Sequence, residues 1–362
     1  MNKNKKVAII GTVGIPAKYG GFETLTEHIV DNTGDKFDFI VYCSKKAYPE
    51  GPLSHEKATL KYLPLHANGV QSIPYDIWGI LHALLRSDIL LILGVSGCIV
   101  LPFIRLFYSK KIIVNIDGLE WRREKWGKAA KSYLKFSEKL AVKYANTVIA
   151  DNKIIQQHVK HSYGKNARLI SYGGDHARPV DMHTDTLKEF PFLSQPYAFK
   201  VCRIEPENNM EMILKAFAGY SKLNLVIVGN WNVSSYSQEL KKRFAEFSNL
   251  FLLDPIYDQN KLNQLRSNCY LYVHGHSAGG TNPSLVEAMF LKLPVIAYGV
   301  NYNKETTYHK ALYFDDEATL ITLLKNLKQE CLDSVSKKMF NVASQNYTWK
   351  KVSDTYAQLL NN

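Results

Sequence analysis

Short apolar runs separated by helix-length gaps dominate this chain, and that rhythm limits its fold more than any other feature. "KVAII", "DFIVYC", "DILLIL", "KIIVNI" and "NTVIA" occupy the first half. Continuous apolar runs with long connections read as strands of a parallel sheet covered on both faces. The longest connecting helix is expected from about Lys125 to Tyr144. The stretch "YGGDHARPVDMHTDTLKEFPFLSQP" then breaks the rhythm with prolines and polar residues, after which it restarts in "YAFKVC", "NLVIVG", "LFLLD", "CYLYVH" and "PVIAY". A chain of 362 residues is long for one core. The expectation is an α/β protein with two Rossmann-like domains, 1–178 and 196–345, a linker at 179–195, and a final segment 346–362. In that segment Trp349, Val352, Tyr356 and Leu359 or Leu360 share one helical face. Ligands of such open sheets bind beyond the carboxyl ends of the strands, so the cleft between the domains is the expected site.

Charge says more about partners than about fold. Lys and Arg number 45 against 33 Asp and Glu, a formal net charge of +12. Basic surface attracts nucleic acid, anionic lipid or phosphorylated substrates. Cys43, Cys98, Cys202, Cys269 and Cys331 are scattered without a C-x-x-C pair, which fits a reducing compartment better than a zinc site or disulfide framework. "MNKNKK" runs straight into a strand with no signal-peptide core. The uncharged stretch "ILLILGVSGCIVLPFI" is shorter than the roughly 20 residues a spanning helix needs. It reads as a buried strand, a tight turn and a helix capped near Ser96.

Two glycine loops stand where strands pass into helices. The first, "GTVGIPAKYGGFET", places Gly11, Gly14, Gly20 and Gly21 before Phe22, Leu25 and Ile29 at helical spacing. Amide N–H groups at such a helix start suit a phosphate or a polyhydroxylated ligand. The second is "HGHSAGGTNPSLVEAM". Here Gly279, Gly280 and Thr281 precede Asn282, a cap residue, and Pro283, which suits the first helical position. Helical spacing puts Ser284 and Glu287 on one face, where amides would hold a diphosphate and the carboxylate a sugar diol. Glu287 alternatively does no more than complement the helix dipole. In "CRIEPENN" Arg203 follows a strand and is placed to grip phosphate through its planar fork, unless it merely pairs with Glu205; Asn208 or Asn209 starts the next helix.

Taken together, the N-terminal glycine loop, Arg203, the "EAM" helix, "LPVIA" and the terminal W-x-x-V helix resemble the retaining GT-B glycosyltransferases of family 4. "GIPAKYGGFET", "DGLEWRREKW", "GGTNPS" and "NYNKET" look like the bacterial rhamnosyltransferase branch, which uses dTDP-rhamnose in capsule and cell-wall polysaccharide synthesis. The resemblance implies an N-terminal acceptor domain, a C-terminal nucleotide-sugar domain and a terminal helix crossing back to the first. Gly20 and Gly21 would close over the donor diphosphate, and Asn208 would belong to the donor-binding residues. Two departures stand out: Gly279 replaces the family's glutamate eight positions before Glu287, and Asn208 replaces a lysine five positions after Arg203. Arg203 and backbone amides would then neutralise most of the diphosphate, without a metal ion or other cofactor. Asp117 occupies a strand-end position where many members have histidine, which implies a role at the reacting centre, with Glu120 as the competing candidate. Asp117 alternatively caps the following turn.

From Trp121 to Phe136 aromatics alternate with cations. Trp121, Arg122, Arg123, Lys125 and Trp126 suit the headgroup layer of an anionic membrane or an acceptor surface, though a plain solvated helix face has the same composition. The expectation is a cytoplasmic enzyme, peripheral on the inner face of the cytoplasmic membrane, acting on a lipid-linked saccharide and not on nucleic acid. Rivals are a UDP-sugar transferase of the same fold and a nicotinamide-dependent oxidoreductase. The latter predicts an acidic residue about 20 positions past the last glycine, where "VYCSKK" offers only lysines.

Overall fold

In the computed structural model, which describes residues 4–18, 20–123 and 126–362, the chain divides into two compact units. The first comprises residues 1–172 and 349–362, the second 173–348. The strands of the first unit are β1 (Lys5–Ile10), β2 (Phe37–Ser44), β3 (Ser54–His55), β4 (Ala58–Leu63), β5 (Ile89–Leu93), β6 (Lys111–Asn115), β7 (Thr147–Ala150) and β8 (Arg168–Leu169). They form one sheet in the order β3-β4-β2-β1-β5-β6-β7-β8, parallel except where β3 meets β4. Every residue of β5 is buried, as its unbroken apolar run requires.

Chain handedness sorts the helices of this unit. The connection from β1 to β2 steps one way across the sheet, whereas those from β4 to β5, β5 to β6 and β6 to β7 step the other way. Right-handed crossovers therefore put helix Gly21–Thr33 on one face and helices Ser72–Ala83, Leu101–Phe107 and Lys128–Tyr144 on the opposite face. The terminal helix Trp349–Asn361 packs against Gly21–Thr33, burying Trp349, Val352, Tyr356 and Leu360 in the core of the first unit.

The second unit contains β9 (Tyr197–Val201), β10 (Asn224–Val228), β11 (Leu250–Leu253), β12 (Leu271–His274), β13 (Val295–Tyr298) and β14 (Leu312–Phe314), all parallel. Their order, β11-β10-β9-β12-β13-β14, is that of a doubly wound sheet, whose connections diverge between β9 and β12.

Local readings differ from the sequence in places. β4 alternates buried and exposed residues at the margin of its sheet and carries no continuous apolar signal. The helix expected near Ser96 starts at Leu101, after a 3₁₀ turn at Cys98–Val100. Ser96 gives its hydroxyl to the buried carboxylate of Asp76 instead of capping. The long helix begins at Lys128, three residues after the expected start; Lys125 itself lies outside the described residues. Among the described residues no helix is long and apolar enough to cross a membrane.

Candidate functional site

The point between β9 and β12 gathers the candidates of the second unit. Arg203 follows β9 with its side chain 52% exposed, and its Nη1 lies 3.9 Å from Glu205 Oε1. Asn208 is buried and turned inward, its Nδ2 donating to the Arg203 carbonyl at 2.6 Å. It braces the arginine loop and gives no charge to the surface. Asn209 adopts left-handed backbone ahead of helix Met210–Ala218, and its Nδ2 donates to the Gly275 carbonyl at 2.8 Å, tying the β9 loop to the β12 loop. Ser277 strengthens the tie: its N–H and hydroxyl both donate to the Glu207 carbonyl, at 2.8 and 2.9 Å.

The β12 loop leads into helix Pro283–Phe290. Asn282 caps it as expected, its Oδ1 accepting from the Ser284 N–H at 3.1 Å and from the Ser284 hydroxyl at 2.7 Å. Tyr272 O–H donates to Ser284 Oγ at 3.0 Å, so this hydroxyl is fixed from two sides. Thr281 is buried, and Pro283 takes the first helical position. Gly279 has φ 119°, a conformation side-chain-bearing residues rarely adopt, which accounts for glycine there in backbone terms. Gly280 follows it, half-buried. Asn303, in the "NYNKET" helix, donates to the carbonyls of His276 and Tyr298, both at 2.9 Å, anchoring the loop from its other side.

Glu287 does more than complement a dipole. Its Oε2 accepts from Arg266 Nη1, and its Oε1 lies 3.0 Å from His176 Nε2. Burial pushes its carboxyl up, but the Arg266 charge and the His176 hydrogen bond outweigh this and hold it at about 2. Neither partner was singled out in the sequence, because Arg266 lies on another helix and His176 in the polar stretch after the first domain.

Beneath the loop lies a group that reading for surface motifs passed over. Lys200 sits in the middle of β9, wholly buried, and its Nζ has no hydrogen-bond partner. His274, at the end of β12, is equally buried, and neither ring nitrogen is hydrogen-bonded. Burial, then the neighbouring Lys200, keep His274 neutral far below the usual histidine range, and burial lowers Lys200 as well. The His274 and His276 rings stack 4.4 Å apart. A side chain on Gly275 would overlap the Asn208 carbonyl oxygen and approach Lys200 Nζ to 3.2 Å. Gly275→Ala is therefore expected to displace the β9 loop, lowering stability by about 1–3 kcal/mol and impairing ligand binding together; a thermal melt and nucleotide titration of the variant check this. The signal was visible in principle: a lysine inside the otherwise apolar "YAFKVC".

In the first unit the glycine loop is held by carboxylates of the helix that follows. Val13 N–H donates to Glu23 Oε1 at 2.8 Å and Ala17 N–H to Glu27 Oε1 at 3.1 Å. Those amides are spent within the protein and do not await a ligand. Gly20 is the residue before the helix and Gly21 its first residue. Asp117 lies just beyond β6 with φ 57°, its N–H donating to Asn115 Oδ1 at 3.1 Å. The next turn begins after Leu119, with no side-chain cap.

Glu120 is engaged through both oxygens, by Trp126 Nε1 at 3.0 Å and Arg123 Nε at 2.7 Å. Trp121 donates to the buried carboxylate of Glu138 at 3.0 Å, which also accepts from Tyr163 O–H at 2.7 Å and contacts His158 Nε2 at 2.9 Å. The Trp121 indole thus fastens the segment to helix Lys128–Tyr144, whereas that of Trp126 closes the segment on itself; Arg122 remains exposed beside Trp121.

Two doubly wound, parallel-sheet α/β units in one chain are the architecture called GT-B. Residues 184–322 match the family model "Glycosyl transferases group 1", and residues 4–175 match "Domain of unknown function (DUF1972)". Among particular proteins, the chain is similar to Glycosyltransferase 1 domain-containing protein 1 of Xenopus tropicalis, 23% identical over 156 residues; the match spans 42% of this chain and 45% of that relative. Among solved structures it is similar to sucrose-phosphate synthase from Thermosynechococcus elongatus, with TM-score 0.79, 14% identity, and 99% of this chain and 98% of that one covered. It is also similar to Anabaena HepE, solved with UDP and glucose, with TM-score 0.75, 15% identity, and 99% and 100% covered.

Proposed function

We propose that this protein transfers L-rhamnose from dTDP-rhamnose, with retention of configuration, to a lipid-diphosphate-linked saccharide in bacterial capsule or cell-wall polysaccharide synthesis. In this reading it belongs to family 4, needs no metal ion, and works in the cytoplasm on the inner face of the cytoplasmic membrane. The observation that carries the reading is the pairing of Arg203 with the capped helix start at Asn282–Ser284 on adjoining loops of β9 and β12. A guanidinium and oriented amides are suited to the charge that builds on a departing nucleoside diphosphate. HepE, which shares the fold, holds UDP and glucose, and that supports a nucleotide-sugar donor here. Glu287 orients the donor through its remaining lone pairs. At the reacting centre the candidates are Asp117, which follows β6, and Glu120 as its competitor.

Two measurements test this. Calorimetry is expected to give tighter binding of dTDP than of UDP; preference for UDP would transfer the proposal to a UDP-sugar donor. A screen of nucleotide sugars with membrane extract as acceptor is expected to label the lipid fraction from dTDP-rhamnose alone.

A further inference from the structure

Exposed large apolar side chains crowd onto one layer of the first unit. On helix Ser72–Ala83 and its last turn, Trp78, Leu81 and Leu85 are exposed at spacings of three and four residues, hence on one stripe. Phe103, Leu106 and Phe107 repeat that spacing on Leu101–Phe107, where Phe107 is 81% exposed. Phe136 adds an exposed ring from Lys128–Tyr144. These three helices occupy the same face of the sheet, and hydrogen bonds join their carboxyl ends. Lys110 Nζ donates to the Leu84 carbonyl at 2.6 Å, and Arg105 Nε to that of Tyr144 at 2.8 Å. The carboxyl ends of the three helices are therefore tied together on one face of the sheet, and half of the large hydrophobic side chains exposed among the described residues lie on these helices and the turn after the first.

Charge selects the occupant. Within the three helices the acidic residues are Asp76 and Glu138, both buried. Lys128, Lys135, Lys139 and Lys143 are exposed along Lys128–Tyr144, and Arg86 is exposed beside Leu85. Among their described residues the three helices thus offer solvent rings, leucines and cations without an exposed carboxylate; Asp88, at the margin beyond Arg86, is exposed. A protein partner would require a matching acidic surface, whereas an anionic bilayer supplies headgroup charge and hydrocarbon at once. We infer that the layer formed by Ser72–Ala83, Leu101–Phe107 and Lys128–Tyr144 is the surface by which this protein docks on anionic lipid. The apolar residues enter the headgroup boundary and the lysines remain at the phosphate level. This deepens the membrane-surface part of the proposed function and moves the contact away from Trp121 and Trp126, whose indole N–H groups are committed inside the protein.

The test is cosedimentation of the full chain with phosphatidylglycerol–phosphatidylcholine vesicles and with phosphatidylcholine vesicles alone. The expected result is binding to the anionic vesicles that weakens with salt. The variant Phe103→Ser/Leu106→Ser/Phe107→Ser should bind at least tenfold more weakly, with an unchanged melting temperature and unchanged dTDP affinity. A second variant, Lys135→Glu/Lys139→Glu, should lose binding to anionic vesicles without relying on the apolar residues. Equal binding by both variants, or wild-type protein left in the supernatant, would overturn the inference. So would a wild-type dimer in sedimentation equilibrium that the triple variant dissociates, because the face would then belong to a second copy. Failure of dTDP binding with vesicle binding intact would overturn the donor assignment and leave the docking surface standing.

Discussion

Arg203→Ala is expected to lower kcat/KM for donor-dependent transfer by about 10²–10³-fold, the scale on which removal of one transition-state charge stabiliser acts. The fold should hardly register the change. Half of the side chain is in solvent, and its ion pair with Glu205 at 3.9 Å is of the exposed kind that contributes little. Stability should stay within about 0.5 kcal/mol of wild type. Arg203→Lys separates charge from shape: an ammonium restores attraction to phosphate but not the two-pronged hydrogen bonding of a guanidinium, so recovery should be partial. Wild-type kinetics in the alanine variant would remove Arg203 from the diphosphate site.

Glu287→Gln should be felt in both stability and donor binding. Arg266 is 6% exposed and would be left with a neutral partner, a loss that costs about 3–5 kcal/mol when one member of a buried pair is removed. The pH dependence has a definite sign. The folded-state carboxyl sits near 2, below the 4.5 of an unperturbed glutamate, so its contribution is complete above about pH 4.5 and lost as pH falls toward 2. Wild type and Glu287→Gln should therefore converge in stability under acid, as followed by urea melts across that range. The double variant Glu287→Gln/Arg266→Leu, which removes the stranded charge, should regain stability but keep a raised donor KM. A normal KM in the double variant would reduce Glu287 to an internal brace.

The doubly wound architecture was legible because its central strands are buried on both faces and so appear as unbroken apolar words such as "ILLIL" and "NLVIV". The marginal strands were not. β4 alternates, and β3, β8 and β14 have two or three residues each, too few for a period to emerge. At the site, residues adjoining glycine, proline or a strand end were readable: Asn282 caps where its sequence context says it should. Arg266 and His176 were not, since a bridge to Glu287 from two distant segments leaves no local spacing. Asn208 illustrates a third case. The family resemblance makes it a donor contact, yet it is buried and bonded to the Arg203 backbone. A position in a motif identifies a loop more reliably than it identifies the direction of a side chain.

The first unit is discontinuous in the chain: residues 349–361 complete its core after the whole second unit has been synthesised. During translation, the apolar side of Gly21–Thr33 must wait for its covering helix while the rest of its own unit and the whole second unit, residues 34–348, emerge from the ribosome. Nascent chains halted before Trp349 should accordingly be targets for chaperones and proteases. A library of C-terminal deletions should show an abrupt fall in soluble yield at that helix, where a simple tail would give a gradual one.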